Sequence, residues 1–237
     1  VLSNPDIDIV VIGEGEITLS EIIKKVDRHK INGIAYRSDN EKDGYTIVKT
    51  PARERIQNLD TLPIPAYHLL PIQHYIPAKG SYKRLPAMSM ITSRGCPGKC
   101  TFCSKTLGNR LVFQSAERIF KEINYLINNY GIRQILFYDD TFTVWKENVQ
   151  NLCQMLIDNK VDLTWTCFAR VDYVDPELLK LMQKAGCHQI MYGVENINEV
   201  VLKNINKKID INQIKNAVKW TKSAGIECRL AFMVGNL

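Results

Sequence analysis

From about residue 88 to residue 234 the chain alternates short apolar runs with stretches of helical periodicity. That alternation is the pattern of β/α units laid around a parallel sheet, and it leaves few other folds open. Residues 88–92 read as a first strand that runs directly into a cysteine-bearing loop. Ser115 can cap the next helix, whose Ile119, Ile123, Leu126, Ile127 and Tyr130 share one face, with Gly131 as its stop. Residues 134–138 read as the second strand, followed by a helix carrying Val149, Leu152, Cys153, Leu156 and Ile157. Residues 163–169 form the third strand. Asp175-Pro176-Glu177 then opens a helix with a cap, a first-turn proline and an acid near the positive dipole end, and Gly186 closes it. Residues 189–194, a helix over 211–224 stopped by Gly225, and a strand over 227–234 complete the series. Five repeats without a sixth predict an open, partial barrel, and 237 residues are too few for this region to be a complete eight-stranded one.

The first eighty-odd residues follow another pattern. Residues 8–12 read as a short strand, followed by Gly13-Glu14-Gly15-Glu16 and a helix through Ile22, Ile23 and Val26. Residues 31–36 and 45–49 read as a hairpin across a polar turn at 38–44. Residues 51–86 hold six of the nine prolines with little periodicity, an ordered connector. Gly13 and Gly15 do not complete a dinucleotide fingerprint, because Thr18 stands where the third glycine belongs. A tight strand-to-helix turn explains them. The chain starts at Val1 without a methionine and stops just past an apolar run, so it is expected to be a fragment.

Apolar residues at 45% and charged ones at 24% are ordinary for a soluble globular protein. No stretch nears the roughly 18 apolar residues of a membrane span, and no secretory signal opens the chain. Seven cysteines at irregular spacing do not form a disulfide framework and fit a reducing cytoplasm. The net charge of +6 is spread out. Its densest group, Lys203, Lys207 and Lys208, reads as a solvated helix face rather than a nucleic-acid stripe.

Three of the cysteines fall within eight residues, Cys96-Pro-Gly-Lys-Cys100-Thr-Phe-Cys103. Gly95, Pro97 and Gly98 keep this loop from becoming helix. The spacing supplies three thiolates and no fourth. A structural zinc wants four protein ligands, whereas a cubic iron–sulfur cluster on three cysteines leaves one iron open. His68, His74 and His188 all lie away from the triplet in sequence, although a fold can bring one close and keep zinc in play. Cys153, Cys167, Cys187 and Cys228 read as small buried hydrophobes. Arg94, Lys99, Lys105 and Arg110 are placed to offset the negative charge of a thiolate-bound cluster.

Cys96, Cys100 and Cys103, with Phe102 just before the last, resemble the cysteine motif of the radical S-adenosylmethionine (radical SAM) enzymes. The resemblance implies a [4Fe-4S] cluster on these three thiolates and S-adenosylmethionine chelating the open iron. It implies reductive cleavage of that cosubstrate to methionine and a 5′-deoxyadenosyl radical, at a low cluster potential. It also implies a (β/α)₆ barrel, here truncated after the fifth strand. Residues 8–16, followed by the proline connector, resemble the end of the cobalamin-binding domain of cobalamin-dependent radical SAM enzymes, although the D-x-H-x-x-G motif of that domain is absent. The domains implied are a remnant of the Rossmann-like cobalamin-binding domain over 1–30, a hairpin and connector over 31–86, and the radical SAM core over 87–237.

In parallel α/β folds ligands sit at the carboxyl ends of strands, so polar residues there come first as site candidates. Asp139 and Asp140 stand where the family carries its acidic motif for the amino group of S-adenosylmethionine, and the sequence does not choose between them. Both can equally cap the following turn. Arg170 can grip the cosubstrate's carboxylate or a neighbouring acid such as Asp139 or Asp140, in a structural ion pair. Glu195 stands where the family meets the ribose or the methionyl part, with a simple cap as the alternative. Phe102 would lend its backbone and ring to the adenine, or shield the cluster. Gly235 can permit close approach of the nucleoside or merely make a turn.

The implied function is cobalamin-associated methyl transfer, cyclisation or rearrangement at an unactivated carbon of a small molecule, with flavodoxin or ferredoxin as electron donor. The alternatives are a cobalamin-independent radical SAM enzyme and a non-catalytic iron–sulfur or zinc protein. No nucleic-acid partner is evident.

Overall fold

The computed structural model describes residues 1–40, 44–104 and 108–235. The chain divides into two compact units, Val1–Gln57 and Asn58–Leu237.

In the first unit β1 (Ile9–Val11), β2 (Ile34–Asn40) and β3 (Gly44–Lys49) form an antiparallel sheet in that order. Helix α1 (Glu16–Ile23) follows β1, and Val26 lies beyond its end. Alternation along the strands sends Ile34 and Tyr36 into a small core with Ile31, onto which Ile9, Val11, Ile22 and Val48 pack. The expected hairpin is present. β2 runs on through Asn40, and residues 41–43 of the expected turn lie outside the described residues. Thr18, at the place of the missing third glycine, is buried and accepts a hydrogen bond from Arg53 Nε at 2.7 Å, while Arg53 also pairs with Glu21. That turn is tied down by side chains rather than left open for a phosphate.

The second unit begins within the proline connector, whose residues 58–86 pass through three short 3₁₀ turns. It then runs β4 (Ala87–Met90), β5 (Ser93–Arg94), β6 (Val112–Phe113), α2 (Ala116–Tyr130), β7 (Gln134–Phe137) and α3 (Lys146–Asp158). There follow β8 (Thr164–Ala169), α4 (Pro176–Lys184), β9 (Cys187–Glu195), α5 (Glu199–Asn204), α6 (Ile211–Ser223) and β10 (Glu227–Phe232). The strands β4, β7, β8, β9 and β10 lie side by side in chain order, all parallel. Among the described residues this sheet stays open.

Local signals in the sequence stop and start the helices. Ser115 Oγ accepts from Arg118 N, Gly131 ends α2 in the left-handed region, and Asp175 Oδ1 accepts from Leu178 N ahead of Pro176. Asp210 and Gln213 form a reciprocal capping box at α6. Ile135, Phe137, Trp165, Ile190 and Tyr192 belong to the main core that the helices cover. The opposite parity, Leu136, Tyr138, Phe168, Met191 and Gly193, is left for the inner face.

Where the strands begin, segment 80–84 plugs that inner face. Gln134 Oε1 accepts from Lys83 N at 2.7 Å and Arg84 N at 3.3 Å, and its amide donates to Ser81 O at 3.2 Å. Gln189 and Arg229 both donate to Gly80 O. Only the other end, where the strands stop, is left for chemistry.

Candidate active site

The β5–β6 hairpin is an element that sequence reasoning left as loop, and it holds the cysteine segment in place. Ser93 pairs with Phe113 and Arg94 with Val112, and Cys96 N donates to Gly108 O at 3.1 Å. Gly95 sits at φ +89°, and a Cβ there would lie 2.4 Å from the Arg110 carbonyl oxygen. Only glycine lets the two arms approach so closely. A Cβ on Gly98 would come within 3.3 Å of Cys96 Sγ and 3.9 Å of Cys100 Sγ, so the bare backbone leaves a hollow between two thiols. Lys105 of the proposed charge-offsetting set lies outside the described residues.

Cys96, Cys100 and Cys103 line one cavity of about 310 Å³ together with Phe102, Asp140 and Arg170. Glu195 and Lys207 line it as well, and Phe168, Met191, Gly193 and Ala231 form its floor on the inner face of the sheet. Among the described residues no fourth cysteine and no histidine borders it. Nor do three or more Cys, His, Asp or Glu side chains among them converge tightly enough anywhere to hold a single metal ion. Three thiols around a roomy hollow suit a multi-iron cluster, in which each iron takes its own thiolate. The remaining cysteines are Cys153, Cys167 and Cys187, which are fully buried, and the half-buried Cys228. Burial pushes the Cys153 thiol up to about 12 and holds Cys187 well above the ordinary thiol value, so neither supplies a ready thiolate.

The two aspartates separate cleanly. Asp140 is exposed on the cavity wall, whereas Asp139 is 0% exposed and faces away from it. Asp139 Oδ1 accepts from Thr92 N at 2.9 Å and Ser93 Oγ at 2.6 Å, and its Oδ2 accepts from Thr92 Oγ1 at 3.0 Å. It therefore bolts the exit of β4, at the root of the cysteine loop, to the end of β7. Burial pushes its carboxyl up to about 6, against the pull of the Ser93 and Thr92 hydrogen bonds. Thr141, next along, brings its hydroxyl to 3.9 Å from Cys96 Sγ. Strand parity carried the answer in the sequence: position 139 continues the core-facing series 135 and 137, and position 140 the inward series 136 and 138.

Arg170 forms a two-point ion pair, but with Asp172, through Nε to Oδ1 and Nη2 to Oδ2, both 2.9 Å. The expected acid partners, Asp139 and Asp140, are not its partners. The reason is local, since residues 171–173 turn back on themselves and present Asp172 to the guanidinium. Burial works against the charge, yet the Asp172 hydrogen bonds outweigh it and hold the Arg170 pKa above its ordinary value. Its Nη2 also donates to Lys207 O at 3.0 Å.

Lys207 corrects the reading of the lysine cluster as a wholly solvated face. Lys203 and Lys208 are exposed, but Lys207 is 6% exposed and its ammonium meets Glu195 Oε1 at 2.9 Å. The ammonium also lies 5.9 Å from the centre of the Phe102 ring. The segment after α5 reaches this place by gripping the cysteine loop: Thr101 N donates to Ile205 O at 3.0 Å and Asn206 Nδ2 to Lys99 O at 2.8 Å. Glu195 ends β9 at φ +67°, a conformation that costs a side-chain-bearing residue on the order of 1–2 kcal/mol. A Cβ on Gly193 would sit 2.6 Å from Glu195 Oε1 and 3.2 Å from Lys207 Nζ, so this glycine makes room for the pair. No sequence periodicity marks Lys207, because a chain reversal after a short helix delivers it.

A sequence profile of the Radical SAM superfamily matches residues 90–236, the segment that carries all of these groups. The chain belongs to the radical SAM superfamily. Membership makes it an enzyme and implies a [4Fe-4S] cluster and S-adenosylmethionine, for which the three-thiol hollow is a fitting donor set. This radical SAM chain is 35% identical, over 98% of its length, to an uncharacterised methyltransferase of Pyrococcus horikoshii, and spans 50% of that protein. It is 30% identical, over 98% of its length, to an anaerobic magnesium-protoporphyrin IX monomethyl ester cyclase of Rubrivivax gelatinosus, and spans 42% of it. The chain thus covers about half the length of these curated relatives. Among solved structures, the cobalamin-dependent S-adenosylmethionine radical enzyme OxsB superposes with a TM-score of 0.76 at 21% identity, over 95% of this chain and 33% of that one. At that identity the likeness is one of fold.

Proposed function

We propose that this chain is the catalytic core of a cobalamin-associated radical SAM methyltransferase acting at an unactivated carbon of a small molecule. One observation carries the reading. Three thiols, two carboxylates, a guanidinium and an ammonium converge on one cavity at the carboxyl ends of a parallel sheet. Cys96, Cys100 and Cys103 would hold the cluster. When bound, it supplies the single electron that splits the sulfonium of S-adenosylmethionine into methionine and a 5′-deoxyadenosyl radical.

The chain's own residues then bind and orient the cosubstrate. Asp140, exposed on the wall beside Thr141, accepts the methionyl amino group as a charge-assisted hydrogen bond. Glu195, steadied by Lys207, accepts from the ribose hydroxyls. Arg170, held by Asp172 and beside the cysteine loop, keeps positive charge near the cosubstrate's carboxylate and the thiolates. Phe102 covers one side of the cavity, offering its face to the adenine. Asp139 binds nothing; it positions the cysteine loop.

The likeness to the Pyrococcus methyltransferase supports methyl transfer, and the shared fold with cobalamin-dependent OxsB supports a cobalamin partner. Residues 1–30 are read as the end of a Rossmann-like cobalamin-binding domain, 31–86 as hairpin and connector, and 87–237 as a (β/α)₆ core seen through its fifth strand. A flavodoxin or ferredoxin would deliver the electron, and seven free cysteines suit a reducing compartment such as the cytoplasm. The cyclase relative favours a second reading, in which the same radical closes a ring.

The test is Cys103→Ala in anaerobically reconstituted protein. The brown cluster absorption and the dithionite-driven release of 5′-deoxyadenosine should both disappear. A variant that keeps both removes the cysteine assignment and the function built on it.

A further inference from the structure

A second cavity lies on the inner face of β4 and β7. Its volume is again about 310 Å³, room for a ring system on the order of ten heavy atoms. One wall is sheet, where Ala87 and Ser89 of β4 stand beside Leu136 of β7 and Tyr138 just past its end. The other wall is the proline connector, which lays His74, Tyr75, Ile76 and Pro77 against the sheet. From the cavity and the site it adjoins, we infer that this compartment binds an uncharged, ring-bearing part of the substrate and points it toward the cysteine cavity. The inference rests on the function proposed above.

The lining chemistry sets the class of ligand. The cysteine cavity is bordered by Asp140, Arg170, Glu195 and Lys207; the second cavity, among the described residues, by no aspartate, glutamate, lysine or arginine. A charged group entering it would give up hydration with no fixed countercharge in return, whereas an uncharged ring loses little. Tyr75 and Tyr138 are 45% and 46% exposed, so each has ring surface to offer a planar guest. The imidazole of His74 and the hydroxyls of Tyr75, Ser89 and Tyr138 have no side-chain hydrogen-bond partner among the described residues. These four groups can orient a guest that carries its own donors and acceptors.

The geometry also aims the guest. Tyr138 meets Phe168 edge-on with ring centres 5.3 Å apart, and Phe168 is part of the floor of the cysteine cavity. Two residues after Tyr138, Asp140 is on that cavity's wall. This aromatic pair borders both compartments, so in the inferred pose a guest longer than one ring would extend from the neutral chamber toward the charged one.

The test uses 2-naphthol as probe, with 2-naphthoate and 2-naphthylmethylammonium as charged counterparts of the same shape. Binding to the cluster-reconstituted chain is followed by ligand-observed NMR, and S-adenosylmethionine affinity is titrated in the same samples. 2-Naphthol should bind at least tenfold more tightly than either ion. Ser89→Phe, which fills the chamber, and Ile76→Glu, which charges its wall, should each weaken naphthol binding at least tenfold. Both should leave the affinity for S-adenosylmethionine within twofold, which also attests to their folding. Equal binding of the three probes, no binding of naphthol, or undiminished binding by both variants would each overturn the inference. Failure of the parent protein to bind S-adenosylmethionine would instead strike the function proposed for the cysteine cavity.

Discussion

At the end of the sheet where the strands begin, Gln134 and Gln189 turn neutral amides toward the backbone of segment 80–84. At the end where they stop, the same inner-facing positions carry Asp140, Arg170 and Glu195 around three thiols. The first end is mostly satisfied internally: its glutamine amides and the backbone of segment 80–84 pair within the chain, while His188 Nε2 is left buried without a partner. The second concentrates what folding alone would avoid: a buried lysine–glutamate pair, a left-handed glutamate and a hollow between sulfurs. Stability and chemistry therefore sit at opposite ends of one sheet. The strained end is tolerated because the plugged end and the helix-covered core hold the frame.

Substitutions at four positions can break or sharpen that contrast. The largest effect on stability is expected from Lys207→Met, which strands Glu195 as an unpaired buried charge. It should cost about 3–5 kcal/mol in urea unfolding, and adding Glu195→Gln should recover part of it. A double variant no better than the single one would show that the pair is not coupled.

Asp139 should make stability depend on pH, because its folded value of about 6 lies above its ordinary 3.8. The folded chain holds the proton more tightly between those values, so the group's penalty is complete above pH 6 and fades as pH falls through the window. Acidifying from pH 7 to pH 4 should stabilise the parent by about 2 kcal/mol relative to Asp139→Asn. The asparagine keeps Oδ1 as acceptor for Thr92 N and Ser93 Oγ but has nothing to titrate. Parallel stability curves for the two proteins would remove the buried carboxyl from the account.

At the plugged end, Gln134→Leu leaves the amides of Lys83 and Arg84 unpaired. The expected loss is about 2 kcal/mol of stability with unchanged affinity for S-adenosylmethionine. A fall in that affinity would mean the two ends are not independent. The smallest effect is expected on binding: Glu195→Ala, combined with Lys207→Met in a double variant so that no buried charge is left unpaired, should weaken S-adenosylmethionine binding about tenfold, about 1.4 kcal/mol, with iron content unchanged. Unaltered affinity would take Glu195 out of the site.

Much of this was legible in the chain itself. The caps at Ser115 and Asp175 and the stop at Gly131 stand where local chemistry puts them. The cysteine triplet, Phe102, Asp140, Arg170 and Glu195 do gather on one cavity, because parallel strands deliver their carboxyl ends to one side. Strand parity also held the choice between Asp139 and Asp140. What sequence could not carry were contacts between segments far apart in the chain. Arg170 reaches the carbonyl of Lys207, which a distant segment brings to it, and the β5–β6 clamp depends on a backbone approach that only Gly95 permits.

Periodicity and spacing by themselves determined the parallel α/β frame, the three-thiol loop and the strand ends that face it, since each is set by neighbours a few residues away. Tertiary structure alone decided that Lys207 is a buried partner rather than a surface charge. It also decided which partners hold Asp139, the amide and hydroxyl of Thr92 and the hydroxyl of Ser93, and that the connector lies over an uncharged stretch of the inner face. The physical reason is burial: what a side chain does depends on the dielectric and the partners that distant segments bring to it.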